Sequence, residues 1–457
     1  MSGFRRQERD HSSENRNRDF RFWLVLFSIT GLAGLLIYVG GQAIPAFAAP
    51  PQALTSSTPP QFMGMNMSSQ TTKHGGSPWP SFQFGSFPTW GMGTTWPTLN
   101  PSDGVYDFSN LDYWINTAAA HGVTDIIYSF GKTPTWASSK PNDQFCVNPA
   151  SPPGSCDPPN DVNPDGTGTD QHVIDFFTAL ATHVGTQIQY YEMWNEANDR
   201  KQWTGTDAQL VRMSMDARNT VKAINPAALI TTPSPAGGVN NEGEAWMDPY
   251  FAAGGGQYAD VMTFHGYLTM LSYTPPEAEV PLIVAYKKML SKYGYPTMPM
   301  WDTQAGWNLD TNLPDPDMQA AYLSRIYLLS KANGVARFYW YSYSNGKFGT
   351  IDTNGVLNPA GIAFEQIYTW LVGSIESAPC TAVGTVYTCG FKMQNGLQEQ
   401  PVWDTAQSCN AGVCTTSTFT PSTLYVKYMD LSGNITQISP PGSPIQIGAK
   451  PICLMSK

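Results

Sequence analysis

The stretch Tyr190-Tyr191-Glu192-Met193-Trp194-Asn195-Glu196-Ala197-Asn198 decides how the rest of the chain is interpreted. An apolar and aromatic run reaches Trp194 and then breaks into Asn195, Glu196 and a polar turn. This pattern predicts a buried strand that ends by presenting an amide and a carboxyl group to a cleft. A carboxyl group in that position is a candidate proton donor, and the alternative is a solvated or helix-capping glutamate at the start of a loop.

Eight short apolar runs alternate with helical patterns on either side of this stretch. The predicted strands are 62–66, 82–87, 125–130, 188–194, 229–232, 261–265, 298–303 and 336–341. The predicted helices are 111–121, 171–184, 207–224, 244–252, 276–293, 315–333 and 359–371. Strand followed by helix, repeated over about 310 residues, predicts an α/β fold with a parallel sheet closed as a (β/α)8 or TIM barrel. An open doubly wound sheet is the alternative, but no Gly-rich phosphate loop follows the first strand.

The ends of the chain differ from this repeat. Residues 373–457 carry short alternating segments separated by Gly, Pro, Ser and Thr, which predicts a small all-β, sandwich-like domain packed on a barrel of residues 61–372. Residues 49–60 read as a Pro/Ser/Thr linker, residues 1–21 as a basic cytoplasmic leader, and residues 22–44 as a transmembrane or signal-anchor segment. Ala46-Phe47-Ala48 also resembles a cleavage site, so the body is expected either membrane-anchored outside the cytoplasm or secreted.

Amino-acid composition excludes several classes of function. The 457 residues carry a formal net charge of −10 and only 13% charged residues, without a basic stripe in the body, which argues against nucleic acid as a partner. The seven cysteines suit export, and their spacing suggests three local disulfides, 146 with 156, 380 with 389 and 409 with 414, leaving Cys453. No CxxC pair supports zinc, and the sequence gives no sign of another metal or cofactor.

Catalytic groups of a TIM barrel lie at the carboxyl ends of its strands. At those ends the chain presents aromatic and polar residues, which suits a cleft that stacks rings on neutral sugars. The candidates for binding are Asn195, His265, Tyr267, Trp90, Trp136, Trp307 and Trp340. For any single tryptophan, packing on the barrel core is the alternative.

These motifs together resemble the clan A glycoside hydrolases, in particular family 39 and related (β/α)8 glycosidases. The resemblance rests on Trp-Asn-Glu at Trp194, Gly-Val-Tyr-Asp-Phe at Gly104, Thr-Pro-Thr-Trp-Ala at Thr133, His-Gly-Tyr at His265 and Trp-Asp-Thr at Trp301. It implies that Glu196 is the general acid/base, that Asn195 binds the sugar 2-hydroxyl, and that a carbohydrate is the substrate. It also implies a retaining mechanism with a nucleophilic Glu about 5 Å from the acid.

Two positions depart from the family pattern. Gln304 stands where the resemblance places the nucleophile, and an amide is a poor nucleophile without charge. Pro88-Thr89-Trp90-Gly91 stands where the family shows Arg-Leu-Trp-Asp, so the arginine that would hold that nucleophile ionised is absent too. Asp302, two residues before Gln304, is an alternative base. The sequence therefore predicts an exported glycoside hydrolase acting on poly- or oligosaccharides, and the competing hypothesis is a carbohydrate-binding pseudoenzyme.

Overall fold

The computed structural model describes residues 56–67, 77–148, 151–237, 242–268, 274–309, 313, 315–351 and 354–457. The predicted leader and transmembrane segment lie outside these ranges. Within them, no helix is both long and apolar enough to cross a membrane.

Eight parallel strands form the central sheet, as the sequence predicted. They are β1 Met63–Met65, β2 Ser86–Pro88, β3 Asp125–Ser129, β4 Tyr190–Glu192, β5 Leu229–Ile230, β6 Met262–Phe264, β7 Met300–Ala305 and β8 Val335–Trp340. Their order is β5-β4-β3-β2-β1-β8-β7-β6, so the sheet curls with β1 beside β8. The two edge strands approach each other through a parallel bridge between Thr231 and Val261 and a bond of 3.0 Å from the Thr232 N–H to the Val261 carbonyl.

Helices follow the strands, seven of them at the positions that the apolar spacing predicted, and the short helix Trp96–Leu99 was not predicted. They are α1 Trp96–Leu99, α2 Ser109–Ala120, α3 Gln171–Val184, α4 Asp207–Ile224, α5 Glu242–Ala252, α6 Glu279–Lys292, α7 Pro316–Ala332 and α8 Pro359–Leu371. Caps explain several boundaries: Thr206 and Gln209 form a capping box on α4, and Asp315 caps α7 ahead of Pro316. Most of the buried apolar side chains lie between these helices and the sheet in one continuous core.

The amino end of the sheet is filled by an ion pair. Arg337 of β8 pairs with Asp125 of β3, and its guanidinium lies 4.3 Å from the ring centre of Tyr190 and 4.2 Å from that of Trp301. Stacking on two rings and pairing with a carboxylate keep this buried charge from being isolated.

Residues beyond α8 form an antiparallel β region. Its strands are β9 Ile375–Val383, β10 Val386–Lys392, β11 Gln398–Asp404, β12 Cys409–Asn410, β13 Val413–Cys414, β14 Thr416–Phe419, β15 Lys427–Met429, β16 Ile435–Gln437, β17 Ile445–Gly448 and β18 Ile452–Met455. Six of them make one sheet in the order β16-β15-β18-β11-β10-β9. The β14–β17 pair packs Phe419, Ile445 and Ile447 against Val402 and Leu454 of that sheet.

This β region contacts the barrel through a buried polar cluster. Glu277, just before α6, pairs with Arg325 of α7, and the Trp403 indole N–H of β11 donates to Glu277 at 2.8 Å. Thr58 is buried and donates from both its N–H and its hydroxyl to the Ser374 carbonyl, at 2.7 and 3.0 Å. The expectation that the two parts pack together is therefore confirmed.

The three suggested disulfides form, joining Cys146 to Cys156, Cys380 to Cys389 and Cys409 to Cys414. Cys453 is a buried thiol. Disulfides persist in oxidising compartments, so this pairing indicates such an environment.

Candidate functional site

Glu196 lies in the turn that follows β4, with its side chain 21% exposed. Its N–H donates to the Ser234 carbonyl at 2.8 Å, which ties the turn to the segment following β5. Trp194 and Glu196 both have left-handed backbone, with φ of 75° and 48°. Such a conformation costs a non-glycine residue about 1–3 kcal/mol and is concentrated at functional sites, because the surroundings must enforce it.

His265, at the end of β6, contacts Glu196 directly. Its Nδ1 lies 3.0 Å from Glu196 Oε1, and the imidazole is almost completely buried. Burial lowers the pKa of His265, but the hydrogen bond and charge of Glu196, with the charges of Glu192 and Asp302, outweigh it and raise the pKa above its ordinary value. This pair therefore places a carboxyl group and an imidazole with a raised pKa in contact at one side of the site.

Gln304, on β7, is 8% exposed and its amide is hydrogen-bonded to the hydroxyl of Tyr267. Tyr267 has its ring centre 6.4 Å from that of His265 and 6.3 Å from that of Tyr341. Burial, followed by the neighbouring Tyr341 and Glu196, raises the pKa of Tyr267 well above its usual value. Tyr267 thus stays a neutral hydroxyl between the Glu196–His265 pair and Gln304.

Asp302 holds the backbone on both sides of this arrangement. Its Oδ1 accepts hydrogen bonds from the N–H groups of Gly266 at 3.0 Å and Gln304 at 3.2 Å. A Cβ on Gly266 would lie 2.2 Å from Asp302 Oδ2, which explains the glycine between His265 and Tyr267. Asp302 is completely buried, which favours a structural role over the alternative in which it acts as a base on a water in the cleft.

Glu279 of α6 is a functional neighbour that the sequence did not reveal. It is fully buried beside Asp302, and no N–H or O–H group of the described residues donates to either of its carboxyl oxygens. Burial and the charge of Asp302 raise the pKa of Glu279 well above its ordinary value. An isolated glutamate on an amphipathic helix carries no signal of this role.

Glu192 lies deeper in the barrel on the same strand as Glu196. It accepts hydrogen bonds from the hydroxyls of Ser129 at 2.8 Å, Thr303 at 2.6 Å and Ser234. Three hydroxyl donors from β3, β7 and the segment after β5 therefore satisfy this buried carboxylate, as expected for a group that pairs inside the barrel.

Asn195 and Trp90 meet at Gly131, which follows β3. A Cβ on Gly131 would lie 2.9 Å from the Trp90 ring and 3.6 Å from the backbone nitrogen of Asn195. Asn195 is buried, and its Oδ1 accepts no hydrogen bond from the described residues. A buried acceptor left open beside the candidate acid is what a sugar hydroxyl or N–H would satisfy.

The remaining tryptophans are placed differently. Trp340 is fully buried and stacks on Trp307 at 6.0 Å, so its side chain belongs to the core and not to an exposed wall. Trp307 is half-buried and its indole N–H donates to the Thr274 carbonyl at 2.8 Å. Trp136 donates to the Asn100 carbonyl at 3.0 Å and packs on His172 at 5.0 Å. The structure therefore joins Trp90, but not these three, to the Glu196 turn.

Lys132 and Tyr341 lie near Glu196, and neither was assigned a role from the sequence. Lys132 is buried with φ of 66°, and its ammonium donates to the Lys201 carbonyl at 3.2 Å. Burial lowers the pKa of Lys132 to about 8, against the opposing charges of Asp199 and Glu196. Tyr341 follows β8, one residue after the buried Trp340.

Among the described parts of the chain, no group of three or more His, Cys, Asp or Glu is arranged to bind a metal ion.

Comparison with solved structures identifies the fold. A family 39 glycoside hydrolase from Bacteroides cellulosilyticus WH2 aligns with a TM-score of 0.65 at 17% identity, covering 90% of this chain and 84% of that one. A monomeric β-xylosidase from Caulobacter crescentus CB15 aligns at 0.54 and 14% identity, covering 86% and 99%. An α-L-arabinofuranosidase from Thermotoga maritima aligns at 0.54 and 11% identity, covering 89% and 98%.

No protein-family model and no curated protein matches the sequence. At these identities the structural likeness establishes the fold. The predicted resemblance to the (β/α)8 glycoside hydrolases of clan A is thereby confirmed at the level of the fold.

Proposed function

We propose that this protein is a glycoside hydrolase that cleaves O-glycosidic bonds of poly- or oligosaccharides, with Glu196 as the general acid/base. The observation that carries the proposal is the Glu196–His265 pair at the carboxyl end of the sheet, 3.0 Å apart and beside Tyr267 and Gln304. A partly exposed carboxyl group held by a buried imidazole is suited to give a proton to a departing oxygen and to take one from water.

The fold supports this proposal, since glycoside hydrolases place their catalytic groups at the same end of the strands. The exposed Glu196 contrasts with Glu192, whose oxygens are occupied by hydroxyls inside the barrel. Asn195 and Trp90 would line the adjoining part of the sugar site, and His265 and Tyr267 would position its reacting end. The disulfides fit an exported protein, whether its leader is retained or removed.

The test is hydrolysis of a panel of aryl glycosides by the wild-type protein, Glu196→Gln and Glu365→Gln. Glu365 is an exposed glutamate on α8, so it controls for the change of charge alone. We expect turnover by the wild type and Glu365→Gln, and a loss of about 10²- to 10⁴-fold in Glu196→Gln. A folded wild-type protein that turns over no member of the panel would refute the proposal.

A second candidate function is carbohydrate binding without hydrolysis. Gln304 favours it, because an amide at the position of the nucleophile cannot form a glycosyl-enzyme. Glycan binding by the wild type that survives Glu196→Gln, without turnover of any bound glycan, would support this function over the first.

A further inference from the structure

The part of the site formed by Gln304 and Tyr267 carries no charge of its own. Gln304 is an amide bonded to Tyr267, and Tyr267 is a neutral hydroxyl. Ordinary double displacement needs a carboxylate here to attack the anomeric carbon. Hydrolysis at this site therefore needs a nucleophile that Gln304 does not provide.

The neighbouring carboxyl groups do not replace it. Glu192, Glu279 and Asp302 are each at most 1% exposed. Glu192 is held by three hydroxyls, while Asp302 accepts from two backbone N–H groups. Burial keeps all three carboxyl groups from the surface of the site, which leaves Glu196, 21% exposed, as the accessible member of this group.

We propose that the substrate supplies the nucleophile itself, as the carbonyl oxygen of an acetamido group on C2, and that the site acts on 2-acetamido-2-deoxy glycosides of 1,2-trans configuration. The inference rests on the proposed function and names the substrate class for the same site. Substrate assistance of this kind is an established exception to the two-carboxylate scheme of glycoside hydrolysis.

Gln304 and Tyr267 have the chemistry to hold an acetamido group. An amide oxygen accepts the acetamido N–H, and a phenol hydroxyl donates to its carbonyl oxygen. Both groups are uncharged and nearly buried, so they bind a neutral amide without leaving an unpaired charge. Asp302 Oδ1 accepts from the N–H groups of both Gly266 and Gln304, which holds Tyr267 and Gln304 next to each other.

The reaction balances with these groups. The acetamido oxygen forms a bond to the anomeric carbon as the bond to the leaving oxygen breaks, and Glu196 gives its proton to that leaving oxygen. The resulting oxazolinium ion carries the positive charge on its N–H. Water then bonds to the anomeric carbon, its proton goes to the Glu196 carboxylate, and the acetamido group is restored. Two displacements give a product with retained configuration.

The experiment compares pairs of 4-nitrophenyl β-glycosides that differ only at C2, which carries an acetamido or a hydroxyl group, in the gluco and galacto series. We expect the acetamido member of at least one pair to be hydrolysed at least about 10²-fold faster, because it alone carries the internal nucleophile. Replacing the acetyl group by mono-, di- and trifluoroacetyl groups should lower the rate stepwise, since fluorine withdraws electrons from the attacking oxygen.

Gln304→Met and Gln304→Glu complete the test. Methionine fills the space without hydrogen bonds, so we expect the preference for the acetamido member to fall at least about tenfold. Glutamate supplies a carboxylate and should raise the rate on the hydroxyl member relative to the acetamido one. Gln366→Met, on α8, is the matched control and should leave the preference unchanged.

The outcomes separate the two proposals. Turnover of hydroxyl members at rates equal to or above their acetamido partners, or rates insensitive to fluorination, would overturn the inference and leave the glycosidase function standing. Turnover of neither member of any pair, with other aryl glycosides hydrolysed, would also overturn the inference alone. No turnover of any glycoside by the folded protein would overturn both.

Discussion

The half of the site formed by Glu196 and His265 carries charge, whereas the half formed by Tyr267 and Gln304 is neutral. In the first half Glu196 contacts His265 at 3.0 Å, and in the second Gln304 is bonded to the Tyr267 hydroxyl. One buried carboxyl group, Asp302, holds the backbone of both halves through Gly266 and Gln304. On the proposed function, the contrast separates proton transfer, assigned to Glu196, from attack on the anomeric carbon, for which Gln304 supplies no carboxylate.

The largest effect should appear when variants of the two halves are compared on substrates that differ in their leaving group. Glu196→Ala removes the proton donor, so we expect a loss of about 10²- to 10⁴-fold for substrates with a basic leaving group. Substrates with a 2,4-dinitrophenyl leaving group, which needs no proton, should lose far less in the first step. Gln304→Ala should instead slow both substrates alike. Steady-state rates across a series of leaving groups measure this. Equal losses of rate in the two variants on every substrate would show that the two halves do not act differently.

His265→Gln should have the next largest effect, because it removes a buried partner of Glu196. A hydrogen bond to a charged group contributes about 1.5–3 kcal/mol, which corresponds to about 10- to 10²-fold in kcat/KM if the pair is needed in the transition state. His121→Gln, at the exposed end of α2, is the control.

The same variant has a pH signature. Because the folded-state pKa of His265 is raised, the stability that the pair contributes is present below the unfolded pKa and is lost as pH rises through the folded value. Thermal unfolding from acid to alkaline pH should show the wild type and His265→Gln converging as pH rises. A constant difference would show that the imidazole does not bind a proton differently on folding.

Tyr267→Phe tests the neutral half with a smaller change. It deletes one hydroxyl that is bonded to Gln304 and leaves the ring in place, so we expect a loss of about 3- to 10-fold in kcat/KM. Tyr258→Phe, in the turn before β6, is the matched control. A loss as large as that of Glu196→Ala would instead make Tyr267 a participant in proton transfer.

Glu279→Gln should have the smallest effect near neutral pH, since an amide keeps a donor toward Asp302. The raised pKa of Glu279 means that the folded state holds a proton that the unfolded state has released, so wild-type stability falls as pH rises. The glutamine variant should lose less stability at alkaline pH. Chemical denaturation at several pH values measures this, and parallel pH profiles would contradict the raised pKa of Glu279.

Much of the fold could be predicted because it follows from local patterns of apolar residues in the sequence. The eight apolar runs and the helical spacings between them gave every barrel strand and the seven long helices, with ends shifted by a few residues. The region after Leu371 was harder, because strands such as Gln398–Asp404 and Ile452–Met455 pair across a long stretch of chain. The boundaries of the domains and the roles of the site residues stay predictions.

The sequence by itself determined which residues end the strands: Glu196, His265 and Gln304 each follow or close an apolar run, and parallel strands bring such ends to one edge. Only the tertiary structure decided which side chains reach one another there. Alternation could not tell that Trp340 is buried while Tyr341 lies near Glu196, and composition could not place Lys132 and Glu279 beside the site. Those placements depend on contacts between distant segments, which local propensity does not encode.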